Sequence, residues 1–318
     1  MGKKSLRYVD IPGAAVERTF VSSPAMGPPR PRRHQLPLME ISGSRKGPTL
    51  CVTAGIHGCE YAAIAAAIKV YEGIDADDLA GRILIVPVVN TAAFWTRTPY
   101  VNPDDGLDIG ATYGVAGSSI SYRIGEYLTE ELYRHADYLL DLHGGDLMEA
   151  ILPHAGFTRT GDSVIDQSAE QLARSYGTEV VFERLERGAF EQSGVAIPRV
   201  IAEAGGEGQL LQECVDIHVR GVMNILKSTK MLRGTPEVPS RQTLFHGRYE
   251  VYVQCSGLFT SDARVGDPVA PGQRLGVIKG LDGNVCEEVA ARDGGACLLV
   301  MTNPVKLAGD LAYKILLE

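Results

Sequence analysis

The chain has 318 residues, of which 45% are hydrophobic and 22% are charged, as in an ordinary globular protein with a large core. Its formal net charge is −8 and its largest basic cluster is the short run at residues 29–33, so nucleic acid is not an expected partner. No apolar run approaches the roughly 18 residues that a membrane span requires, and residues 1–10 lack the apolar core of a signal peptide. We therefore expect a cytoplasmic protein with no membrane partner.

The cysteines fit the same compartment. Six are scattered without Cys-x-x-Cys spacing, at positions 51, 59, 214, 255, 286 and 297. Several lie in apolar, strand-like runs such as residues 296–300. In a cytoplasmic protein this pattern predicts reduced, buried thiols.

The first part of the chain, residues 1–48, contains no helix pattern. Proline and glycine punctuate it, and strand candidates occur at residues 17–21 and 35–41. We interpret this part as an edge hairpin that packs on the next domain and leads into its first core strand.

Residues 49–236 alternate between strand and helix patterns. Strands are predicted at residues 50–54, 81–90, 136–143 and 195–204, and helices at residues 62–70, 119–133, 162–176 and 211–231. Such alternation is typical of an α/β domain with a largely parallel sheet and helices on both faces.

Residues 237–318 have a different character, with short strand patterns separated by glycine turns, and they predict a small all-β domain. The pieces at residues 266–269 and 272–276 resemble the half-barrel of biotinyl and lipoyl carriers. A carrier needs an exposed lysine at a hairpin tip, but the matching turn at residues 281–284 has none. We therefore expect a barrel-sandwich-like cap beside the active site.

A candidate metal site begins at the end of the first core strand. His57 and Glu60 lie between that strand and the helix after it, and their spacing places both side chains on one side of a turn, with Cβ atoms roughly 5–6 Å apart if the turn is helical. That separation suits one metal ion. The pair also arises by chance, and a single histidine near a strand end is more often a hydrogen-bonded structural group.

A second histidine, His143, follows the buried strand at residues 138–142 and precedes a glycine pair. Open α/β sheets bind ligands just outside the carboxyl ends of their strands, so His57, Glu60 and His143 are expected to share one crevice. Two histidines and one carboxylate leave a fourth position on zinc for water, as a catalytic site requires. A structural zinc would be closed by a fourth protein ligand, which the cysteines do not supply.

These residues carry a family resemblance. The motif at residues 57–60 (HGCE), the motif at 141–145 (DLHGG) and Glu203 in the segment 198–206 (PRVIAEAGG) resemble the succinylglutamate desuccinylase/aspartoacylase family. The resemblance covers most of the chain from residue 48 onward. It implies the mixed α/β sheet of zinc carboxypeptidases and one zinc per chain, bound by His57, Glu60 and His143.

The resemblance also implies roles for other residues. Glu203 ends a strand and would transfer the proton between water and the leaving amine; without the family, Glu207 in the same loop is an equal rival. Arg97 would polarise the scissile carbonyl together with zinc, although an isolated arginine in such a loop is by default a surface residue. Asn90 is expected to orient this loop for substrate binding. Asp141 either orients His143 or satisfies buried backbone groups.

One segment departs from the family. Its members follow the arginine with Asp-Gly-x-x-Leu-Asn-Arg, whose last two residues bind a substrate carboxylate, but this chain has Gly110 and Ala111 at those positions. A carboxylate buried there would lose a charge-assisted bidentate partner. The substrate therefore either lacks that carboxylate or meets another cation, and Arg123 on the following helix is the nearest candidate in sequence.

The sequence thus predicts a zinc-dependent hydrolase that removes an acyl group from a small N-acylated amine or amino acid. A carboxypeptidase acting on short peptides is one alternative, and a metal-binding family member that has lost catalysis is another. The number of subunits is left open, a homo-oligomer included.

Overall fold

The computed structural model describes residues 1–11 and 34–317, so the strand predicted at residues 17–21 and the basic run at 29–33 lie outside the described residues. The α-helices are α1 (Tyr61–Gly73), α2 (Thr91–Thr96), α3 (Ile120–Tyr127), α4 (Ser163–Tyr176), α5 (Ala189–Gln192) and α6 (Gln212–Ser228). The strands of the first two thirds are β1 (Lys3–Asp10), β2 (Gln35–Ser42), β3 (Arg45–Ala54), β4 (Ala80–Val86), β5 (Tyr138–His143), β6 (Glu149–Ile151), β7 (His154–Thr158), β8 (Val180–Arg184) and β9 (Arg199–Glu203). The remaining strands are β10 (Thr243–His246), β11 (Arg248–Tyr252), β12 (Gly257–Ser261), β13 (Pro268–Val269), β14 (Arg274–Lys279), β15 (Val285–Ala290), β16 (Gly295–Met301), β17 (Val305–Lys306) and β18 (Leu311–Leu316).

A nine-stranded sheet forms the centre of the molecule, in the order β1-β2-β4-β3-β5-β9-β7-β8-β10. Strands β3, β4, β5 and β9 run parallel where they pair, as do β7, β8 and β10. Antiparallel pairing joins β1 to β2, β2 to β4 and β7 to β9. The mixed, largely parallel α/β sheet expected from the sequence is confirmed.

The hairpin at the sheet edge has a different first strand from the one predicted. β1 pairs with β2 along its whole length, and the sequence analysis names no strand candidate at residues 3–10. Almost every side chain of β1 is exposed, and Tyr8 retains 62% of its accessible surface. An edge strand that buries neither face shows no alternation of apolar and polar residues, and for that reason its sequence does not reveal it.

The two faces of the sheet bury different clusters. Leu140 and Leu142 of β5 pack with residues of α1, α4 and α6 on one face. Leu139 points to the opposite face, into a cluster with Tyr113 and Tyr133. Because side chains alternate along a strand, Asp141 and His143 share the face of Leu139. The carboxyl end of β5 therefore presents its polar residues away from α1, α4 and α6.

The C-terminal strands form two further antiparallel sheets around their own core, as predicted for a β-rich C-terminal part. Strand β6 pairs with β16 and so connects them to the first part of the chain. Strand β10 pairs with β8 in the nine-stranded sheet, although its residues follow the predicted boundary at position 236. The division into three domains stays a prediction.

One expectation for the cysteines is wrong. Cys255 and Cys286 form a disulfide that links the loop before β12 to β15. Cys286 is exposed, and Cys255 is half-buried against the core of the C-terminal part. The other four, Cys51, Cys59, Cys214 and Cys297, are buried free thiols, as expected. Among the described residues, no helix has the length and apolar character needed to cross a membrane.

Candidate metal and catalytic site

The turn between β3 and α1 holds the first two predicted ligands. The chain leaves β3 at Gly55 with a positive φ of 62°, His57 lies in the turn, and Glu60 is the residue that immediately precedes helix α1. A Cβ atom on Gly58 would lie 2.3 Å from the backbone nitrogen of Phe94, so only glycine lets this turn pack against α2. The positive end of the α1 dipole favours the Glu60 carboxylate.

His143 at the end of β5 completes the set. One ligand atom from each of His57, Glu60 and His143 lies within 4.8 Å of the others. Nδ1 of His57 is 2.7 Å from Oε1 of Glu60, and Nδ1 of His143 is 3.1 Å from Oε2. That second oxygen is buried, and apart from this ion-pair contact with the His143 ring it has no hydrogen-bond partner among the described residues. A buried carboxylate oxygen without a well-aligned donor is costly, and a cation bound between the three side chains would compensate for that cost. The donor set therefore fits a metal ion.

The outer nitrogen of each imidazole faces a second carboxylate. Nε2 of His57 lies 3.6 Å from Oδ1 of Asp108, and Nε2 of His143 lies 3.4 Å from Oδ2 of Asp141. Asp141 is fully buried and is held by the Thr53 hydroxyl at 2.6 Å and by the Arg199 guanidinium at 2.7 Å. Carboxylates behind histidine ligands orient the rings and raise their basicity. This geometry supports the orienting role considered for Asp141 in the sequence.

The neighbouring carboxylates keep the two imidazole rings protonated when no metal is bound. Burial opposes a charged imidazole, but the Glu60 and Asp141 carboxylates outweigh it and raise the pKa of His143 to about 10. His57 is half-buried; burial again opposes its charged form, but Glu60 and Asp108 raise its pKa well above the usual range. Burial also opposes ionisation of Glu60, whose pKa is nevertheless lowered by the two facing rings. In the metal-free site the negative charge of Glu60 is therefore compensated by protons on the two imidazole rings. A bound cation can replace these protons.

We expect zinc binding to release protons at neutral pH, because both rings must lose a proton before Nδ1 can coordinate a metal. The apparent zinc affinity should fall as pH falls, since the proton competes more strongly below the raised pKa values. Titration calorimetry in two buffers of different ionisation enthalpy measures the released protons. Binding heats that are independent of the buffer would contradict this prediction.

Glu203, the predicted proton carrier, ends β9 directly beside the metal-ligand set. It is in register with His143 on β5 and with His154 on β7. Burial raises its pKa from 4.5 to about 7, which lets it accept and donate a proton near neutral pH. The rival Glu207 is exposed and does not line the site cavity. The carbonyl after Glu203, that of Ala204, lies 3.2 Å from Nε2 of the buried His218, which supports the strand end.

The ligand set and Glu203 line a cavity of about 290 Å³ between the central sheet and the C-terminal strands. Tyr100 contributes to its wall from the loop after α2, and the fully buried pair Leu298 and Leu299 on β16 contributes an apolar surface. Tyr100 also packs edge-on against His57, with ring centroids 6.2 Å apart. The C-terminal part thus narrows the space in front of the ligands.

Three other predicted residues lie outside the cavity wall. Arg97 is exposed at the end of α2, with a positive φ of 57°. Asn90 is buried at the start of the same helix, where its side chain accepts a hydrogen bond from the Ala93 amide at 3.0 Å. Arg123 donates to the Ser118 carbonyl at 2.9 Å, away from the cavity. The roles assigned to Arg97, Arg123 and Asn90 stay predictions; the Asn90 side chain caps the helix that ends just before Arg97.

The sequence missed several residues of this wall. His154 was expected to be near the site in sequence only, but its register with Glu203 places it in the cavity. Four cations, Arg184, Arg199, Arg248 and Lys314, also line it. His154 follows a proline at the start of a strand, which was a usable signal. Arg199 lies within the motif segment 198–206, whereas the other three cations come from strands without a motif, so only tertiary packing identifies them.

Comparison with known proteins gives this geometry a family context. Residues 46–229 match the model of the succinylglutamate desuccinylase/aspartoacylase catalytic domain. The N-alpha-acetyl-L-2,4-diaminobutyric acid deacetylase of Halomonas elongata is 31% identical over 238 residues, which cover 72% of this chain and 69% of that protein. The residues that match the family model include the motifs of the candidate metal ligands and Glu203.

Two solved structures share the fold. The product-bound ectoine utilization protein EutE (DoeB) of Ruegeria pomeroyi superposes with a TM-score of 0.82 at 24% identity, covering 89% of each chain. A succinylglutamate desuccinylase/aspartoacylase of Rhodobacter sphaeroides superposes with a TM-score of 0.81 at 23% identity, again covering 89% of each chain. At these identities the likeness supports the fold, including the C-terminal β part.

Proposed function

Because the chain belongs to the succinylglutamate desuccinylase/aspartoacylase family, we propose that it is a zinc-dependent hydrolase that removes an acyl group from a small N-acylated amine or amino acid. One observation carries the proposal: an open set of three metal ligands and a carboxylate with a pKa of about 7 share one small cavity. A hydrolase of linear amides needs both groups within reach of the same bond.

The metal would be held by Nδ1 of His57, the Glu60 carboxylate and Nδ1 of His143. When bound there, zinc supplies a Lewis acid that lowers the pKa of water and polarises a carbonyl oxygen. Asp108 and Asp141 hold the outer nitrogens of the two rings and so keep Nδ1 directed at the metal position.

Glu203 performs the proton transfers in this proposal. Its carboxylate accepts a proton from the attacking water, and the resulting acid donates that proton to the nitrogen of the leaving amine. Burial of the carboxyl group, in a cavity whose wall includes the apolar Leu298 and Leu299, keeps the pKa of Glu203 near the working pH. The amide bond breaks, and the products are a carboxylic acid and a free amine.

The cavity favours a small substrate over a peptide. A volume of about 290 Å³ is at the low end of ligand sites, and the C-terminal strands form part of the wall. The relative from Halomonas elongata is by name a deacetylase of an N-acetylated amino acid, which agrees with this size class. A carboxypeptidase needs a crevice open to a chain of residues.

A metal assay combined with a substrate screen tests the proposal. We expect about one zinc per chain by elemental analysis, and turnover of at least one N-acetyl or N-succinyl amino acid that stops on chelation and returns with zinc. Cleavage of short peptides alone would support the carboxypeptidase instead. Metal binding without turnover of any amide would support a family member that has lost catalysis.

Two further expectations accompany this function. The cytoplasmic location expected from the sequence stays a prediction, which fractionation of cells that express the protein would test. Whether the chain assembles into a homo-oligomer is equally a prediction, which light scattering of the purified protein would decide.

A further inference from the structure

A buried histidine of helix α6 lies behind the carboxyl end of the central sheet. His218 is fully buried and does not line the cavity of the candidate metal site. It takes no part in the proton transfers proposed for Glu203. A buried imidazole needs a hydrogen-bond partner for each of its nitrogens, because an unpartnered polar atom away from water is costly. The partners of His218 therefore indicate its role.

One ring nitrogen contacts the ends of two neighbouring strands. Nε2 of His218 lies 3.2 Å from the carbonyl oxygen of Ala204, the residue that follows β9. The carbonyl of His143, the last residue of β5, is a second hydrogen-bond acceptor for the ring. The Ala204 amide donates to that same carbonyl at 3.2 Å. Nε2 thus lies where the ends of β5 and β9 meet.

The other ring nitrogen is held by a tyrosine of a second helix. Nδ1 of His218 lies 2.7 Å from the hydroxyl oxygen of Tyr176, the buried last residue of α4. Within residues 1–11 and 34–317 this hydroxyl has no other hydrogen-bond partner, so its proton is donated to Nδ1. A Cβ atom on Gly221 of α6 would lie 2.2 Å from the tyrosine ring. Glycine at this position therefore makes room for the ring beside the helix.

These contacts fix the tautomer of the histidine. Burial outweighs the two carbonyls and lowers the pKa of His218 to about 4, so the ring carries one proton near neutral pH. Because Nδ1 accepts the Tyr176 hydroxyl, that proton is on Nε2 and is donated to the strand ends. The opposite tautomer would direct a lone pair at the carbonyl oxygens. A continuous chain of hydrogen bonds thus runs from α4 through α6 to the sheet.

The two strand ends carry the residues of the candidate site. His143 and Glu203 are in register on β5 and β9, and both line the cavity, whereas α6 packs on the opposite face of the sheet. The chain then enters glycine pairs, at residues 144–145 and 205–206. Glycines have no side chains that could anchor these strand ends by packing. The hydrogen bonds of His218 supply an anchor from behind.

We propose that His218, held by Tyr176, is a positioning residue that fixes the joined ends of β5 and β9 and so sets the position of Glu203 relative to His143. The inference rests on the proposed hydrolase function, because it concerns the geometry between the proton carrier and a candidate metal ligand. A displacement of about 1 Å in such a geometry can lower a rate by about 100-fold. A hydrogen bond behind the site is therefore expected to affect both metal binding and turnover.

Three variants and one matched control test the role. His218→Phe keeps a ring but removes the donor, His218→Gln is the conservative change that retains an N–H group, and Tyr176→Phe removes only the hydroxyl that holds the imidazole. Thr129→Val is the control for the loss of a buried hydrogen bond. Thr129 is fully buried, donates its hydroxyl to the Gly125 carbonyl at 2.7 Å and does not line the cavity.

Zinc affinity is measured by competition with a chelator, and kcat and KM are measured on a verified substrate. We expect His218→Phe to weaken zinc binding by about 10-fold, as for other residues that orient a metal ligand. Its kcat should fall by about 10- to 100-fold with KM changed by less than about threefold, because the misplaced groups act in the chemical step. Tyr176→Phe should show smaller losses, and His218→Gln should recover part of both quantities.

The control separates positioning from stability. Thr129→Val should unfold at a lower temperature than the wild type and keep its zinc affinity and kcat. Equal losses in Thr129→Val and His218→Phe would overturn the inference, since reduced stability alone would then explain them. Wild-type zinc affinity and kcat in a folded His218→Phe variant would also overturn it. If His218→Phe does not fold, Tyr176→Phe decides by the same comparison.

Two readouts remain if the proposed function fails. Zinc affinity that falls in His218→Phe but not in Thr129→Val supports the positioning role even when no amide is hydrolysed. If the wild type binds no zinc, amide hydrogen exchange of residues 139–143 and 200–204 decides instead. Faster exchange of these residues in His218→Phe than in Thr129→Val supports the anchor at the strand ends, and equal exchange refutes it.

Discussion

Glu203→Gln is expected to keep the fold and the bound zinc and to lower kcat by about 100- to 10,000-fold, the usual contribution of general acid–base catalysis. Glutamine has nearly the same shape as glutamate, so its register with His143 and His154 is unchanged. An amide cannot accept the proton from water or return it to the amine. The measurement is turnover of a verified substrate at equal zinc stoichiometry.

The pH profile of the wild-type enzyme gives an independent check on the same group. Glu203 must be ionised to accept a proton, so kcat/KM should rise with pH through the pKa of about 7 and level off above it. The residual activity of Glu203→Gln should lack this rise.

Stability changes in the opposite sense. In the metal-free protein the pKa of Glu203 is raised from 4.5 to about 7 in the folded state, so the unfolded chain loses its proton first as pH rises. The folded state should lose stability relative to Glu203→Gln between these two values. Glu207→Gln is the matched control, since Glu207 is exposed in the same loop. Near-full activity of Glu203→Gln with a defect in Glu207→Gln would transfer the role to Glu207.

The clustering of the candidate ligands was predictable because the interactions that place them are local. His57 and Glu60 are separated by three residues at a strand–helix turn, and that spacing alone sets their distance. His143 and Glu203 each end a buried strand, and parallel neighbours bring their carboxyl ends to one edge. An apolar run followed by a polar residue and glycine is visible in the sequence, so the site could be assembled from three short segments.

The presence of Arg184, Arg248 and Lys314 in the cavity wall was not predictable, for the converse reason. Arg184, Arg248 and Lys314 lie far apart in sequence, each in a strand whose pattern marks only the strand. Their meeting depends on how the C-terminal sheet packs against the central one, which no local spacing encodes. Sequence proximity pointed instead to Arg123 as the cation that could meet a substrate carboxylate. The Arg123 side chain donates to the Ser118 carbonyl and does not line the cavity.

The disulfide and the first strand were missed because both depend on contacts between segments that are distant in sequence. Cys255 and Cys286 are 31 residues apart and meet because β12, β14 and β15 are neighbours in one sheet. Their spacing carries no signal of this contact. Lys3–Asp10 forms a strand through backbone hydrogen bonds to β2 alone, and its exposed side chains record no buried face. Pairing between distant segments is the common missing information.

His143→Ala is expected to lose most of the bound metal. The change leaves one histidine and one carboxylate, and it also removes the ring nitrogen that lies 3.1 Å from the buried Oε2 of Glu60. Zinc sites in proteins use at least three protein ligands, so affinity should fall by more than the roughly 10- to 100-fold that loss of an outer-shell partner costs. Elemental analysis after dialysis against a metal-free buffer measures the stoichiometry.

Two further variants test how zinc affinity depends on each neighbouring residue. Asp108→Asn keeps every ligand but weakens the contact to Nε2 of His57, and its affinity should fall by about 10-fold, within the range for outer-shell partners. His135→Ala removes an exposed histidine outside the cavity and should bind zinc as the wild type does. Circular dichroism of the apo forms checks that each variant is folded. Undiminished zinc in a folded His143→Ala variant would show that another residue completes the site. The proton-release measurement on the same variant would then show whether His57 still loses its proton when the metal binds.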